Sequence, residues 1–328
     1  MNKLNGRYIR QIPLIGTQGQ EKLQSAKVAI IGVGALGTVA AELLVRSGVG
    51  SILLIDRDVV ELSNLQRQSL FANSDISSSK VVAAKRRLLE INPEITIEIA
   101  PVHLSAKNIS QTISDKINLV LDCTDNMNTR FLINDYTKKN MINWIFASAV
   151  GWSGMFSFIA ADSACLRCQM PKKANGETCQ EAGVIGAVTK SIASMQSNIA
   201  IQFLTGQDIS NLKNKLFTYD AKTISLRNFD IQKDPRCKTC SNEFPSLKVQ
   251  GQEDIVRFCS SGMFQVSRET KIDLVKLQKT IESEFTETIL DEISLRFGNL
   301  TVFSDGRALI KAKTKESAVT LYDRYISN

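Results

Sequence analysis

The sequence predicts an α/β protein built on a doubly wound, mostly parallel sheet that continues into antiparallel strands. Over residues 27–140, short apolar runs with the pattern of buried strands alternate with amphipathic helices. After about residue 143 the pattern changes to strands joined by tight turns, and the last 70 or so residues have their own order of helix, strands and helix. We therefore expect a large unit over residues 1–244 and a small C-terminal α+β unit over residues 245–328.

In the first half of the chain, strands and helices follow one another in the order that right-handed crossovers require. The predicted strands are "KVAIIGVG" (27–34), "SILLIDRD" (51–58), "TIEIAP" (96–101) and "INLVLDCTD" (117–125). The predicted helices cover residues 35–47, residues 79–91 and "NMNTRFLINDYTKKN" (126–140). The second of these helices stops before the "NP" dipeptide, because a proline disfavours helical backbone in the residue before it.

The second half of the chain predicts hairpins and two further helices. "NWIFASAVGWSGMFSFIAA" (143–161) indicates two antiparallel strands joined at Gly151, and "LFTYDAKTISLRNFDI" (216–231) indicates another hairpin. Residues 169–182 are polar and loop-like, residues 183–206 predict a helix, and residues 241–254 resemble a linker. In the C-terminal unit we expect a helix over 271–283, a strand pair over 293–312 that turns at "DGR", and a helix over 315–326.

Composition and charge favour a cytoplasmic globular protein without nucleic-acid or membrane partners. The formal net charge is +7, but the lysines are dispersed and no run of five or more like charges occurs. The N-terminal segment "MNKLNGRYIRQ" is polar and lacks the apolar core of a signal peptide. The apolar helical stretch over 35–45 is too short to span a bilayer.

The loop "GVGALG" after the first strand predicts a nucleotide site. Gly32, Gly34 and Gly37 permit a tight turn and a close approach of phosphate to a helix N-terminus. Asp56 lies 19 positions after Gly37, at the end of the next strand, where a dinucleotide-binding unit keeps the acid that holds a ribose hydroxyl. An NAD(P)-dependent oxidoreductase and an enzyme that uses a nucleoside triphosphate both fit these residues.

The segment "SNLQRQ" after Asp58 favours the triphosphate. Hydride transfer creates no phosphate charge, so an oxidoreductase gains nothing from polar and cationic residues at this place. Displacement at the α-phosphate of ATP builds negative charge, which arginine, lysine and Mg²⁺ stabilise. Residues of these types follow in order along the chain: Asn64, Arg67, Gln68, Lys80 and, at the end of the strand "LVLDCTD", Asp125.

These residues resemble the ThiF/MoeB/HesA family, bacterial relatives of the ubiquitin-activating enzymes. The matching segments run in the family's order over roughly residues 5–242 and include "RYIRQIPLIGTQGQEKL", the glycine loop through "LSNLQRQSLF", "SKVVAAKRRLLEINP", "LDCTDNMNTRFLIND" and "TCQEAGVIGAV". One departure is Ala35, which stands where the family usually has another glycine. The resemblance implies a Rossmann-like sheet of the ubiquitin-activating-enzyme type, and the C-terminal portion looks like the tail of some ThiF-type members.

The resemblance implies an adenylyltransferase. Members of this family use ATP to activate the C-terminal glycine carboxylate of a β-grasp sulfur-carrier protein that ends in Gly-Gly, for thiamine or molybdopterin biosynthesis, and release pyrophosphate. The tail favours the thiamine pathway. A separate desulfurase or rhodanese would then supply the sulfur.

The family's site residues carry over to this chain position by position. Gly32, Gly34 and Gly37 would face the phosphates, Asp56 would hold the ribose with Asp58 nearby, and Asp125 would bind Mg²⁺. The nucleotide-binding set is completed by Asn64, Arg67, Gln68, Lys80 and Asn126. Arg10, in "RYIRQ", would reach the γ-phosphate in the other subunit of a homodimer, and catalysis would rest on Arg10, Arg67, Lys80, Asp125 and Cys179. Each of these residues taken singly also fits a plainer role, as a surface charge, a turn residue or a helix cap.

The cysteines predict a metal site rather than disulfides. Four of the seven form two CxxC pairs, Cys165 with Cys168 and Cys237 with Cys240, the pattern of a closed structural zinc site. The alternative is four unligated thiols. Cys179, in the polar segment "GETCQEAG", occupies the position of a cysteine that forms a covalent adduct with the carrier in some family members and is dispensable in others. The only histidine, His103, leaves no room for a Ser-His-Asp triad and is expected to be structural.

Two other functions stay open at this point. An NAD(P)-dependent oxidoreductase explains "GVGALG" and Asp56 but not "SNLQRQ", Lys80 or the cysteine pairs. A non-catalytic module that binds a carrier protein would keep the fold with a degenerate site, which the presence of Arg10, Arg67, Lys80 and Asp125 disfavours.

Overall fold

Two β-sheets organise the protein. The structure, a computed structural model, describes residues 6–170, 183–248, 255–257, 263–268 and 270–326. The larger sheet has eight strands and the smaller has six. The elements that build the larger sheet and cover it are, in chain order, α1 (Ile12–Ser25), β1 (Lys27–Ile31), α2 (Gly37–Ser47), β2 (Ser51–Ile55), α3 (Lys80–Ile91), β3 (Thr96–Ala100), α4 (Ile109–Thr112), β4 (Leu119–Asp122), α5 (Met127–Lys139), β5 (Trp144–Val150), β6 (Ser153–Ile159), α6 (Leu166–Gln169), α7 (Gly186–Thr205), β7 (Lys215–Asp220) and β8 (Ser225–Asp230).

The larger sheet is doubly wound, as the sequence predicts. Its strand order is β3-β2-β1-β4-β5-β6-β7-β8, with parallel pairing from β3 to β5 and antiparallel pairing from β5 to β8. The chain runs outward from β1 through β2 and β3, and then returns to the other side of β1 with β4. This reversal opens a crevice at the carboxyl ends of β1 and β4, where open α/β sheets bind ligands.

Helices bury both faces of this sheet. On one face Leu44 of α2 and Ile192 of α7 are fully buried in a single apolar cluster with the strands. On the other face Ile109 of α4 and Ile133 of α5 are fully buried in a second cluster. Burial of both faces explains why the central strands are continuous apolar runs in the sequence rather than alternating ones.

The sequence pattern does not predict helix α1. Its segment, "IPLIGTQGQEKLQS", contains two glycines and is kinked at Gly16, where φ is 72°. Leu14 is 82% exposed, whereas Leu23 is fully buried in the cluster that contains α7. The helix therefore depends on packing against α7 rather than on its own apolar periodicity.

The smaller sheet is entirely antiparallel. Its elements are β9 (Ile255–Arg257), β10 (Met263–Ser267), α8 (Leu274–Ile281), β11 (Thr288–Leu290), β12 (Ser294–Phe297), β13 (Leu300–Phe303), β14 (Arg307–Lys311) and α9 (Lys315–Ile326). The strands pair in the order β11-β12-β13-β14-β10-β9, and the two helices cover one face of the sheet. The prediction of two strands over residues 293–312 was wrong: this segment contains three strands, because the chain also turns at Gly298, where φ is 50°.

The chain between the two sheets still contacts the larger one. Residues Pro245–Leu247 form a 3₁₀ turn, and the Ser246 amide donates to the Asp135 carboxylate of α5 at 2.7 Å. The boundary between residues 244 and 245 stays a prediction. Within the described residues, no helix combines the length and the apolar character that crossing a membrane would require.

Candidate functional site

A cavity of about 630 Å³ opens at the carboxyl ends of β1, β2 and β4, at the reversal of strand order. Residues from distant parts of the sequence meet here because the ends of parallel strands share one edge of the sheet. Most of the residues that the sequence assigns to the nucleotide line this cavity: Gly32, Gly34, Asp56, Asp58, Asn64, Arg67, Gln68, Lys80, Asp125 and Asn126.

The three glycines of the loop after β1 lie in different structural environments. Gly32 has a φ of 89°, and a side chain there would come within 2.7 Å of the Cys123 carbonyl oxygen. Gly37 is buried at the start of α2, where a side chain would collide with the Gly32 carbonyl, and it is not among the described residues that line the cavity. Its expected role at the phosphates stays a prediction. At Gly34 the nearest atom to a built side chain is the Gln68 amide nitrogen at 3.8 Å. Packing within the chain does not require glycine at position 34, whereas close approach of a ligand would.

Asp56 and Asp58 are fixed in different ways at the end of β2. The two carboxylate oxygens of Asp56 accept the backbone N–H groups of Val33, at 2.7 Å, and of Asp58, at 2.8 Å, so this residue ties the glycine loop to the β2 loop. Asp58 pairs with Lys80, whose Nζ lies 3.2 Å from the Asp58 Oδ2 atom. Lys80 is the first residue of α3 and is 7% exposed.

The protonation states of Asp56, Asp58 and Lys80 depend on one another. Burial raises the pKa of Asp58, but the Lys80 ammonium and the Arg57 guanidinium outweigh it, and the pKa ends below its ordinary value. Burial lowers the pKa of Lys80, yet the two carboxylates bring it above its usual range. For Asp56 burial dominates over Lys80, and its pKa is raised. Lys80 therefore stabilises both carboxylates, and Arg57 adds a second positive charge beside Asp58.

The segment after Asp58 contributes a turn that lies against the cavity. The Asn64 side chain caps this turn by accepting the Glu61 N–H at 3.1 Å, which is the plainer of its two roles, although the residue also lines the cavity. Arg67 donates from Nη1 to the Ser63 carbonyl at 3.0 Å. The Oε1 atom of Gln68 is buried without a hydrogen-bond partner among the described residues, and the residue lines the cavity.

The loop after β4 carries an exposed acid. β4 ends at Asp122, and Asp125 lies three residues beyond it, exposed on the cavity wall. Asn126 caps α5 by accepting the Thr129 N–H at 2.9 Å. This cap fixes the direction of the loop, and Asp125 is the adjacent residue.

Sequence reasoning missed Arg130, Asp122 and Arg57. Arg130 is 7% exposed, donates to the Thr124 carbonyl at 2.5 Å and lies 3.4 Å from the carboxylate of the fully buried Asp122. Burial raises the pKa of Asp122, which Arg130 opposes. No local signal distinguishes Arg130, because a basic residue one turn after the cap Asn126 has the sequence context of a surface charge. Arg57 stands between Asp56 and Asp58, which is also the sequence context of a surface ion pair.

His103, expected to be structural, also lines the cavity. Burial is the largest cause that lowers its pKa, to about 4, and the positive charges of Arg57 and Arg307 act in the same direction against Asp58. The imidazole is therefore neutral at physiological pH.

Two predicted site residues are not brought to this cavity. Arg10 is exposed and is not among the described residues that line it. The proposed role of Arg10 in the other subunit of a dimer stays a prediction. Cys179 lies outside the described residues.

The four predicted metal ligands meet at a second site. The sulfur atoms of Cys165, Cys168, Cys237 and Cys240 all lie within 4.8 Å of one another. The separations are 3.4 Å between Cys165 and Cys237, 3.6 Å between Cys168 and Cys240, and 3.9 Å between Cys165 and Cys168. A tetrahedral Zn²⁺ with bonds of about 2.3 Å places its sulfur ligands about 3.8 Å apart. The donor set and its spacing therefore fit this metal.

Asp135 of α5 connects the cysteine cluster to the large sheet. This carboxylate is fully buried and accepts from the Thr239 hydroxyl at 2.5 Å, from Arg167 at 3.2 Å and from the Ser246 amide. Arg167 lies inside one CxxC pair and Thr239 inside the other, so both halves of the cluster bond to one side chain. The Arg167 guanidinium also lies over the Phe131 ring at 4.3 Å.

The fold and the two sites define a class: a doubly wound α/β protein with a polar cavity at its switch point and a separate four-cysteine site. Comparison with protein families narrows this class. The family model described as the ThiF family matches residues 7–239. The chain belongs to the ThiF family.

Named relatives and solved structures agree with this assignment. The sulfur carrier protein ThiS adenylyltransferase of Bacillus subtilis is 33% identical over 337 aligned positions, which cover 98% of this chain and 100% of that protein. The molybdopterin-synthase adenylyltransferase of Salmonella typhimurium is 37% identical over 243 positions, 71% of this chain and 95% of that protein. The crystal structure of E. coli MccB with ATP has a TM-score of 0.65 at 23% identity, and covers 73% of this chain and 75% of that one. At this identity the likeness to MccB concerns the fold alone.

Proposed function

We propose that this protein is an ATP-dependent adenylyltransferase that activates the C-terminal glycine carboxylate of a ubiquitin-like sulfur-carrier protein. The observation that carries this proposal is the convergence of Gly34, Asp58, Lys80 and Asp125 on one cavity at the switch point. The two relatives described above align over 100% and 95% of their own length and are named adenylyltransferases, not oxidoreductases, so the NAD(P)-dependent alternative is set aside.

The proposed reaction is a displacement at the α-phosphate of ATP. A carboxylate oxygen of the carrier's terminal glycine forms a bond to the α-phosphorus, the bond from that phosphorus to the bridging oxygen of the β-phosphate breaks, and pyrophosphate leaves. The products are the acyl-adenylate and pyrophosphate. The chain's contribution is to hold the triphosphate with Arg67 and Lys80 and to stabilise the charge on the departing pyrophosphate.

The balance of charge in the cavity supports a metal ion and a residue from a second subunit. The described lining residues include four basic side chains and four acidic ones: Arg57, Arg67, Lys80 and Arg130 against Asp56, Asp58, Glu61 and Asp125. These charges offset one another, whereas ATP adds several negative charges. We propose that Mg²⁺ bound at Asp125 supplies part of the missing positive charge and that Arg10 of the partner in a homodimer supplies the rest.

We propose the thiamine pathway in preference to molybdopterin synthesis. The Bacillus subtilis relative, a ThiS adenylyltransferase, aligns over 98% of this chain, and this alignment includes the small six-stranded sheet. We also propose that the four cysteines hold a structural Zn²⁺ and that a separate desulfurase or rhodanese supplies sulfur. A Cys₄ site leaves no open coordination position, so the metal would have no part in adenylation.

Isotope exchange between pyrophosphate and ATP tests the function. Each β-grasp carrier with a C-terminal Gly-Gly, of the thiamine type and of the molybdopterin type, is incubated with the enzyme, ATP, Mg²⁺ and labelled pyrophosphate. Exchange is expected with the thiamine-type carrier and not with the same carrier shortened by its last glycine. Absence of exchange with every carrier, together with intact ATP binding, would instead support the non-catalytic binding module.

A further inference from the structure

The small sheet packs one face against loops at the wall of the cavity. Side chains alternate along β13 and β14: Val302 and Ile310 lie in the small sheet's own core under α8 and α9, whereas Phe303 and Leu309 form a separate cluster with Val59 of the β2–α3 segment. Phe303 and Leu309 are each 1% exposed. Because they do not belong to the core of their own sheet, it is the contact with the large unit that buries them.

The segment they contact carries the Asp58–Lys80 ion pair. Val59 and Ser79 form an antiparallel bridge, and the Lys80 N–H donates to the Asp58 carbonyl at 2.9 Å. This two-stranded bridge therefore sets the distance between the two backbones from which the paired side chains extend. The C-terminal unit contacts both strands of the bridge, since Val59 packs in the apolar cluster and the Ser79 N–H donates to the Asp291 carboxylate at 3.4 Å.

Two more contacts join the small sheet to the cavity wall. Arg307 of β14 donates to the Pro101 carbonyl, two residues before His103, and its guanidinium lies 4.2 Å from the centre of the Phe303 ring. Met263, the first residue of β10, lines the cavity itself. The small unit thus touches the wall at the β2–α3 bridge and at the loop after β3, and forms a short part of it.

We propose that the small C-terminal unit is a positioning element for ATP binding. Through Phe303, Leu309 and Asp291 it holds the bridge between Val59 and Ser79 and so keeps the Lys80 ammonium in place. This inference rests on the proposed function in one respect, namely that Lys80 contacts the triphosphate. A displacement of a binding group by a fraction of an ångström is enough to weaken a site that depends on its geometry.

A matched pair of substitutions separates positioning from general stability. Leu309→Ala and Ile310→Ala each remove three carbon atoms from a fully buried side chain of β14, but on opposite faces of the sheet. In Leu309→Ala, hydrogen exchange of the Lys80 amide and the Kd for ATP from calorimetry are both expected to rise on the order of ten-fold. Ile310→Ala is expected to lower the melting temperature and to leave both values unchanged. If either alanine variant fails to fold, Leu309→Val and Ile310→Val are compared in the same way.

The outcomes decide the proposal without depending on the carrier. The proposal would be overturned if Leu309→Ala changed neither the hydrogen exchange of the Lys80 amide nor the Kd for ATP. It would also be overturned if folded variants at Leu309 and Ile310 changed these two values equally. If the wild-type chain does not bind ATP, the proposed function fails, whereas exchange of the Lys80 amide still reports whether the small unit holds the bridge.

Discussion

The single histidine gives a direct test of the structure around the cavity. The pKa of His103 is lowered from 6.5 to about 4, first by burial and then by Arg57 and Arg307. Histidine-selective ¹³C labelling yields one Cε1–H signal, since the chain has one histidine, and its chemical shift against pH gives the pKa without assignment. A midpoint near 4 is expected, and a midpoint near 6.5 would refute the burial of this side chain beside the two guanidinium groups.

The same shift has a consequence for stability, whose sign follows from proton binding. Between pH 6.5 and 4 the unfolded chain binds a proton at His103 and the folded chain does not, so the free energy of unfolding decreases as the pH falls through this range. With these two pKa values, the loss between pH 7 and pH 5 is about 2 kcal/mol. Denaturant titrations of wild type and His103→Gln at both pH values measure it, because the variant lacks this one contribution and keeps those of the carboxylates. An equal loss in both proteins would contradict the linkage.

Arg307 provides the control that connects this measurement to the small sheet. Its charge lowers the pKa of His103 across the contact between the two sheets. Arg307→Gln is therefore expected to raise the His103 midpoint, and bound ATP, which brings negative charge into the cavity, should raise it as well. An unchanged His103 midpoint in Arg307→Gln would contradict the position of the small sheet beside His103.

Further predictions concern the cavity and the cysteine cluster. Lys80→Met should lower kcat/KM for carrier adenylation by about 100-fold, since the cation that stabilises the leaving pyrophosphate is removed, as exchange kinetics would measure. Arg10→Ala and Asp125→Asn should each be inactive. Random mixing of the two variants should recover about a quarter of wild-type exchange, because about half of the dimers are mixed and each of these has one intact site, whereas no recovery would contradict an arginine supplied by the partner. Cys165→Ser should reduce bound zinc from about one per chain, measured by atomic emission, and lower the melting temperature. Asp135→Asn should cost about 3 kcal/mol of stability, because Arg167 loses its buried partner, and an unchanged denaturation midpoint would count against this.

The sequence was most informative where one local pattern determines the structure. Apolar runs that end in glycine or aspartate predicted β1, β2 and β4, and because parallel strands end at a common edge, the prediction that Asp56 and Asp125 share a site followed directly. The two CxxC pairs were equally informative, since their spacing is typical of a metal site and the fold brings all four sulfur atoms together.

Other features depend on contacts that no local pattern records. Arg130 has the sequence context of a surface charge on a helix, and only the fold shows that it is buried against Asp122. Helix α1 has weak apolar periodicity and forms against α7. The contact of Leu309 with Val59 joins residues that are far apart in the chain, so the strand alternation of β14 could show that Leu309 faces away from its own core but not what it faces.

Helix α5 explains why the two sites occur in one unit although they share no residue. Its N-terminus, capped by Asn126, lies on the cavity wall. About two turns further along the helix, Asp135 accepts hydrogen bonds from Arg167 in one CxxC pair and from Thr239 in the other. A helix is stiff along its axis, so fixing Asp135 also fixes where the cap and Asp125 lie. Four thiolates held by the proposed Zn²⁺ would keep Arg167 and Thr239 at the spacing that a single carboxylate can bridge. The proposed metal site would therefore stabilise the position of a cavity residue through the backbone of α5, without any contact with the nucleotide.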